Sequence, residues 1–244
     1  MKEVSGLRLP VAVTEVHRAP LEQRLLGAFT LALISPIAIG AAAAAFVLLP
    51  QNLAIALTLA LIAMVIALLV GYVARDNYAK WVLRVEFGPN SAALRLPAGR
   101  SLIHRLPAFS GVIRYADIAA VETRLEAYRS VGLAAMQRAY GLRLSNGALI
   151  ILGEDRAVGT NFEQLGTNRI ATALAARAEI AVTDLGMVEG RGGVLMVVGA
   201  GPESWSAPSL GQSAQGRLWR RVASTGAAPM IIFLLALLLA AVFS

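Results

Sequence analysis

The feature that most constrains this sequence is a long stretch without Asp, Glu, Lys, Arg or His, from Leu25 to Ala74. It is 50 residues long and is bracketed by Arg24 and Arg75. A hydrocarbon core of ~30 Å is crossed by ~20 helical residues, so the stretch is long enough for two membrane spans. The chain as a whole is 57% hydrophobic, more than the ~45–50% that is usual for a soluble domain.

A short polar break divides this stretch at Leu48–Ala54, with the sequence LLPQNLA. Pro50 lacks a backbone N–H and ends a helix, and the two amide side chains that follow it hydrate the bend. We therefore predict spans at about 26–49 and 53–72, which together form a transmembrane helical hairpin over residues 25–74. A signal peptide is excluded as an interpretation because the apolar run is too long and begins only after 24 residues.

A third apolar segment lies at residues 227–244. Ala227–Phe243 is 17 residues long, which is the lower limit for a span, and it has no polar side chain that would give it a water-facing side. The sequence therefore predicts a membrane protein with three helical spans.

Basic residues indicate the orientation, because Lys and Arg are enriched on the cytoplasmic side of a membrane. They precede the first span, follow the second and precede the third, and the hairpin turn has none. We predict a multi-pass protein of the bacterial inner membrane, with the N-terminal segment 1–24 and the middle of the chain in the cytoplasm and the C-terminus outside. The basic segment before the third span is predicted to lie at the anionic membrane surface through Arg217, Trp219, Arg220 and Arg221.

Small residues in the first span, at Gly40–Ala45, favour close helix packing. Gly40 and Ala44 are the predicted contact residues. Two partners are open at this stage: the second span of the same hairpin, or a helix of another membrane protein.

Several classes of function are excluded by what the chain lacks. It has no cysteine, which removes disulfides, thiolate catalysis, iron–sulfur clusters and cysteine-based zinc sites. Neither of its two histidines lies in an apolar span, so intramembrane haem ligation is not expected. The spans contain no charged side chain for a proton or ion path, and no cofactor is predicted.

Residues 75–185 have the alternation of β-strands. Leu83, Val85 and Phe87 alternate with polar neighbours, which predicts a half-buried strand. Asn146-Gly147 between two apolar runs predicts a hairpin with a type I′ turn. The inward side chains are predicted to be Ile113, Tyr115, Ile118, Val121, Tyr140, Leu142, Leu144, Ile150 and Leu152.

A helix is predicted after these six or seven strands. Thr160–Glu163 fits a capping box, although Gly166 allows a start only at Thr167. Phe162, Leu165, Ile170, Leu174 and Ala175 then fall near the 3.6-residue period of a helix with one apolar side. The order favours a small antiparallel sheet or barrel closed by one amphipathic helix, an α+β domain.

This order of elements, with "VIRYADIAAVE" as the middle strand segment, resembles bacterial pleckstrin-homology-like (PH-like) domains over about residues 81–185. Such domains often follow a pair of transmembrane helices. The resemblance implies a cytoplasmic scaffolding or membrane-associated module. It also implies Arg84, Arg95 and Arg100 as candidate contacts for a lipid headgroup.

Residues 186–226 are rich in glycine and serine, and this composition predicts a linker. Within it, Val194–Val198 is a β-favouring island whose Val194, Met196 and Val198 are predicted to pair with the domain or with a partner's sheet. The following Gly199-Ala200-Gly201-Pro202 is similar to a dinucleotide fingerprint. However, Ser204 replaces the last glycine and Pro208 prevents the helix that the fingerprint needs, so neither nucleotide nor nucleic acid is predicted as a ligand.

Three hypotheses about function follow from the sequence. The first is a non-catalytic membrane subunit or assembly factor that contacts other integral membrane proteins. The second is a free-standing scaffold or sensor that binds anionic lipid. The third is a membrane enzyme, whose candidate acids and bases are Asp117, Glu122, Glu154, Asp155 and His104, although no pair of them has a spacing typical of catalysis.

Overall fold

The computed structural model describes residues 13–101, 106–130, 133–156, 165–191 and 204–221. Within these ranges, a long helical hairpin near the start of the chain leads into two β-sheets. A short helix packs on the second sheet and in the core that the two sheets share, and a further helix lies on the second sheet.

The hairpin consists of α1 (Leu21–Leu48) and α2 (Leu53–Val82). Both helices are long and apolar enough to cross a membrane. Only 6% and 11% of their most apolar windows are buried inside the protein, whereas the core helix of a soluble protein is mostly buried. The structure thus agrees with the two predicted spans of the hairpin. The predicted third span, at residues 227–243, lies outside the described residues.

The turn between the helices lies where the sequence predicts it. Asn52 is the N-cap of α2, and its Oδ1 accepts a hydrogen bond of 3.1 Å from the backbone N–H of Ile55. The amide therefore satisfies one of the unpaired donors at the start of the helix as well as meeting water. Pro36 lies inside α1 without ending it.

The predicted transmembrane hairpin ends at residue 74, and the helix α2 continues beyond it to Val82. Leu83 then leads directly into the first strand after the hairpin. The charged residues Arg75, Asp76 and Lys80 mark where the chain becomes polar, but they are compatible with a helix and do not end it. The hairpin and the β-domain are therefore joined by a continuous helix and not by a loop.

The first sheet is antiparallel, with the strand order β1-β2-β3-β4. Its strands are β1 (Glu15–Arg18), β2 (Arg84–Phe87), β3 (Ser91–Leu96) and β4 (Phe109–Arg114). The sequence did not predict β1, which precedes the hairpin and pairs with β2, the strand that follows it. The hairpin is thus an insertion between two paired strands, which hold its two ends side by side.

The second sheet has the order β7-β6-β5-β8. Its strands are β5 (Ile118–Ser130), β6 (Leu133–Leu144), β7 (Leu149–Arg156) and β8 (Val182–Arg191). β5 pairs with β6 in antiparallel fashion but with β8 in parallel. The prediction of a single antiparallel sheet or barrel is therefore wrong: the domain has two sheets, and the second is mixed.

The hairpin at Asn146-Gly147 is confirmed, but its predicted turn type is wrong. Gly147 has a φ of +84°, whereas Asn146 does not have a positive φ, which a type I′ turn requires. The N–H of Gly147 donates to the carbonyl of Leu144, and the N–H of Leu144 donates to that of Ala148. This is a three-residue loop in which a type I turn is followed by a left-handed glycine.

The third helix, α3 (Thr167–Arg177), starts at the later of the two predicted positions, after a left-handed Gly166. The capping box at 160–163 lies outside the described residues. Ile170, Leu174 and Ala175 are buried in the core, as predicted. This core joins both sheets and contains the side chains predicted to point inward, namely Ile113, Tyr115, Ile118, Val121, Tyr140, Leu142, Ile150 and Leu152, with Leu144 packed at its edge.

The predicted linker from residue 186 is wrong where the structure describes it. β8 continues to Arg191, and Gly186, at a φ of +81°, lies where two residues of β8 oppose one residue of β5. A glycine at a β-bulge supplies the unusual backbone angle without interrupting the strand, so composition alone mistakes it for a linker. Residues 212–221 form a further helix, α4.

Candidate partner and membrane surfaces

An apolar groove opens between α1 and α2 near their turn, with a volume of about 600 Å³. Ala45, Ala56 and Ala63 are buried in its floor, whereas Phe46 on its rim is 78% exposed. The other lining residues are Ala38, Ile39, Ala42, Leu49, Leu57, Ala60, Met64 and Ala67. The two helices thus approach closely through alanine and leave a concave surface flanked by larger side chains.

The predicted contact residues Gly40 and Ala44 lie on another side of α1. Successive residues of a helix are ~100° apart, so Gly40 is turned far from Ala38 and Ala42, which line the groove. Gly40 is exposed, and a methyl group added there would meet nothing within 4 Å. Gly40 therefore does not serve the packing of α1 on α2. Ala44, one helical turn further on, is half-buried, and Gly40 and Ala44 together form a small-residue face of α1 that is open at Gly40.

The base of the hairpin, next to the β-domain, is held by polar and aromatic contacts. Asn77 packs against Gly27, where a Cβ would lie only 2.4 Å from the Asn77 oxygen. The Arg24 guanidinium lies 4.8 Å from the centre of the Trp81 ring. Lys80 forms an ion pair of 2.7 Å with Asp76, one helical turn away. These contacts sit where a membrane helix would meet the headgroup region.

Trp205 fastens the segment 204–210 onto the second sheet. Its indole N–H donates a 2.5 Å hydrogen bond to Glu122, and its ring lies 4.3 Å from the guanidinium carbon of Arg124. The ring occupies the space next to Gly141 that a larger residue would fill. Sequence reasoning missed this contact, although a tryptophan among glycines and serines is a signal that such a segment has something to pack against.

The same segment also binds the backbone of β8. The N–H of Leu210 donates to the carbonyl of Met187 at 2.7 Å, and the Ser209 hydroxyl accepts from the N–H of Met187 at 3.2 Å. Residues 204–210 are thus part of the domain and do not form a free linker.

Charged side chains are buried beneath this segment. Arg124 and Glu126 are each 1% exposed and form an ion pair of 2.5 Å, and Arg124 also donates to the Ser204 carbonyl at 2.7 Å. A buried pair of this kind is weak evidence for stability, since both charges lose water, but removing one partner leaves the other charge uncompensated. The pair therefore specifies how the segment 204–210 sits on the sheet.

The candidate acids of the enzyme hypothesis each make a structural contact. Asp117 pairs with Arg114 at 2.8 Å. Glu154 accepts a hydrogen bond from the Ser101 hydroxyl. It also accepts one of 2.6 Å from the side-chain amide of Gln137, when the nitrogen of that amide is turned towards the carboxylate.

Asp155 caps α3 by accepting a 2.8 Å hydrogen bond from the N–H of Asn168. His104 lies outside the described residues. Among the residues that the structure describes, no three His, Asp or Glu side chains are grouped so that they would hold a metal.

Glu122 accepts hydrogen bonds from two side chains. Arg143 donates two hydrogen bonds to its carboxylate, at 2.8 and 3.0 Å, in addition to the one from Trp205. The hydrogen bond from Arg143, and to a lesser extent that from Trp205, holds the pKa of Glu122 below its usual range against the opposing effect of burial. The carboxylate is therefore ionised at neutral pH and acts as a fixed acceptor.

Arg100 does not suit the lipid-headgroup role that the PH-like resemblance implies. Its side chain is buried and donates to the carbonyls of Pro97, Pro107 and Ile151 at 2.6–2.9 Å. Burial lowers the pKa of Arg100 to about 10, so the group stays charged at pH 7. It organises the backbone around it, whereas Arg84, paired with Glu86, and Arg95 are at the surface.

The predicted membrane-surface residues lie on α4. Leu218 anchors this helix, because it is buried against Ala127, Met136 and Met187 of the second sheet. The side chains of Arg217, Trp219, Arg220 and Arg221 are exposed around it. The basic segment is thus a docked amphipathic helix with a cationic outer face.

The remaining predicted contacts, Val194, Met196 and Val198, lie outside the described residues, as does the glycine run at 199–202. In comparisons with protein-family models, curated proteins and solved structures, nothing matched this chain.

Proposed function

We propose that this chain is a non-catalytic integral membrane subunit or assembly factor of a larger complex in the bacterial inner membrane, which contacts partners through its helices and its β-domain. The observation that carries the proposal is the small-residue face at Gly40 and Ala44. It lies in an apolar helix, and its Gly40 is turned away from the other helix of the hairpin. Small residues allow two helices in lipid to approach closely enough for strong packing.

The non-catalytic part of the proposal rests on the acids that the structure describes. Asp117, Glu122, Glu154 and Asp155 are each engaged by a neighbouring donor that orients or neutralises the carboxylate. General acid–base catalysis needs a group that can reach a substrate proton. The contacts of these four carboxylates stabilise the fold.

The PH-like character of the β-domain belongs to the same proposal. The strands β1 to β7 are followed by α3, which packs in the core shared by the two sheets, and this order supports it. The parallel strand β8 and the strand β1 are additions to the pattern that the resemblance implies. The proposed orientation, with this domain in the cytoplasm, rests on the basic residues at the ends of the spans.

The experiment is a gentle-detergent pull-down of the tagged full chain from native membranes, with mass spectrometry of what is recovered. Gly40→Leu fills the proposed contact face, and Gly71→Leu is the matched control, since Gly71 on α2 also has open space around it. We expect stoichiometric membrane partners with the unmodified chain and with Gly71→Leu, and their loss with Gly40→Leu. Recovery of the chain alone, or equal partners from both variants, contradicts the proposal.

A second candidate function, binding of anionic lipid, is favoured by the exposed face of α4. Arg217, Arg220 and Arg221 surround Trp219 on a helix that Leu218 fixes to the domain. Each basic residue near an anionic surface contributes ~1 kcal/mol, an effect that salt screens.

Nanodiscs test it, with the full chain and with Trp219→Phe. If α4 lies at the surface, brominated anionic lipid quenches the emission of Trp219 more than brominated zwitterionic lipid does, and salt removes the difference. Quenching that ignores lipid charge rules this function out.

A further inference from the structure

We propose that the groove between α1 and α2 is the docking site for the apolar segment 227–243 of the same chain. The inference goes beyond the proposed function, because it assigns a face of the hairpin different from the Gly40 face that would contact a partner protein. The hairpin would then be covered at the groove by its own chain and would remain accessible to a partner at the Gly40 face.

The shape of the groove selects an occupant with small side chains. Lipid tails are as apolar as the rim, so a helix gains from entering the groove only if it packs closely on the alanine floor. Ala42 and Ala60 line the groove from the two helices, beside this floor. In segment 227–243, Ala236 and Ala240 are four residues apart, a spacing that places them on one side of a helix.

The position of the groove across the membrane also matches the position of these two alanines in the segment. The groove extends from Ala38 to Leu49 along α1, about 16 Å at 1.5 Å per residue, and ends at the hairpin turn. A segment that crosses the membrane from the side of the β-domain has its second half at the depth of this turn. Ala236 and Ala240 belong to that second half.

The position of α4 favours the chain's own segment over a foreign helix. Leu218 fixes α4 to the second sheet, and the five residues 222–226 between α4 and the segment span at most ~18 Å. Such a short tether favours the segment of the same chain over a second copy or another protein, because linked partners meet at an effective concentration of the order of mM when the linker can span the two sites.

Disulfide cross-linking tests the proposal without background, because the chain has no cysteine. The groove pairs are Ala42→Cys with Ala240→Cys and Ala60→Cys with Ala240→Cys. The control pair is Gly40→Cys with Ala240→Cys, which differs only in the face of α1. Each full chain is oxidised in native membranes, and the intrachain product is followed by its gel mobility.

We expect at least one groove pair to form the intrachain disulfide about tenfold faster than the control pair, because docking brings its two cysteines within bonding distance whereas Gly40→Cys faces away from the groove. Moving the second cysteine to Ala236 tests the register by one helical turn. Equal slow rates for all pairs mean that lipid fills the groove, and a product between two chains means that a second copy does. Either result overturns the proposal, while the pull-down with Gly40→Leu remains an independent test of the proposed function.

Discussion

The hairpin and the β-domain of this protein are packed on opposite principles. Between α1 and α2 the closest contacts are made by Gly27, Ala45, Ala56 and Ala63, while large side chains such as Phe46 face outwards. In the β-domain the large side chains are inside: Phe87, Leu142 and Ile170 are buried at the junction of the two sheets and α3. Size and exposure are thus inverted between the two regions.

The difference is the one expected if the hairpin lies in lipid and the β-domain in water. Water drives large apolar side chains inwards, whereas lipid gives no such drive and rewards close backbone approach. The β-domain also buries charges such as Arg124 and Glu126, which the hairpin lacks in its apolar part. Four expected results test this comparison, from the largest effect to the smallest.

The largest expected effect is the difference in the free energy of unfolding when a leucine is truncated in each of the two regions. Leu142→Ala opens a cavity in the shared core and is expected to cost about 2–5 kcal/mol of the free energy of unfolding. Leu33→Ala is the matched control, because Leu33 is 58% exposed on α1 and its loss opens no cavity. Thermal unfolding of the full chain in mild detergent measures both, and equal losses would contradict the inverted packing.

In the hairpin, the addition of a methyl group is expected to destabilise the protein where the two helices are in contact. Gly27→Ala places a Cβ against Asn77 and is expected to cost about 1–3 kcal/mol, because the helices must separate or Asn77 must move. Gly40→Ala meets nothing and should stabilise α1 by up to ~1 kcal/mol. Helical circular dichroism on heating separates the two variants. A neutral Gly27→Ala would mean that α1 and α2 are further apart than described.

The Trp205 contact is expected to be more tolerant, because segment 204–210 lies at the edge of the domain. Gly141→Ala forces the Trp205 ring off the sheet at a cost of about 1 kcal/mol, the lower end for overpacking. The measurable sign is a red shift of tryptophan emission. Gly216→Ala, on α4 with open space around it, should leave the spectrum unchanged. A shift in both variants would point to a general loosening instead.

Acid should weaken the same contact by the smallest amount. The pKa of Glu122 is lower in the folded chain than its ordinary value, so the folded state holds fewer protons. Its contribution is complete above the ordinary Glu pKa of ~4.3 and is lost as the pH falls through the folded value. Trp205 emission should therefore titrate below that pH, and Glu122→Gln should abolish the transition. An unchanged titration in Glu122→Gln would exclude this carboxylate as its source.

Features that depend on neighbouring residues were accessible to sequence reasoning. The uncharged stretch predicted the hairpin, and the alternation at Leu83, Val85 and Phe87 predicted a strand with its buried face. The helix α3 and the hairpin at Gly147 were also found, since a helix period and a turn signal are local. The candidate surface at Arg217–Arg221 was located, but its docking through Leu218 was not.

What only the tertiary structure decided are the contacts between distant residues. The pairing of β1 with β2 joins residues on either side of two long helices. The parallel pairing of β8 with β5 joins strands that are separated in the chain by β6, β7 and α3. Trp205 finds Glu122 and Gly141 far away in the chain. No local sequence pattern predicts these contacts, because each of them buries a surface that exists only after the sheets have formed. The sequence by itself determined which segments suit lipid and which suit a water-excluding core, and the fold decided which of them meet.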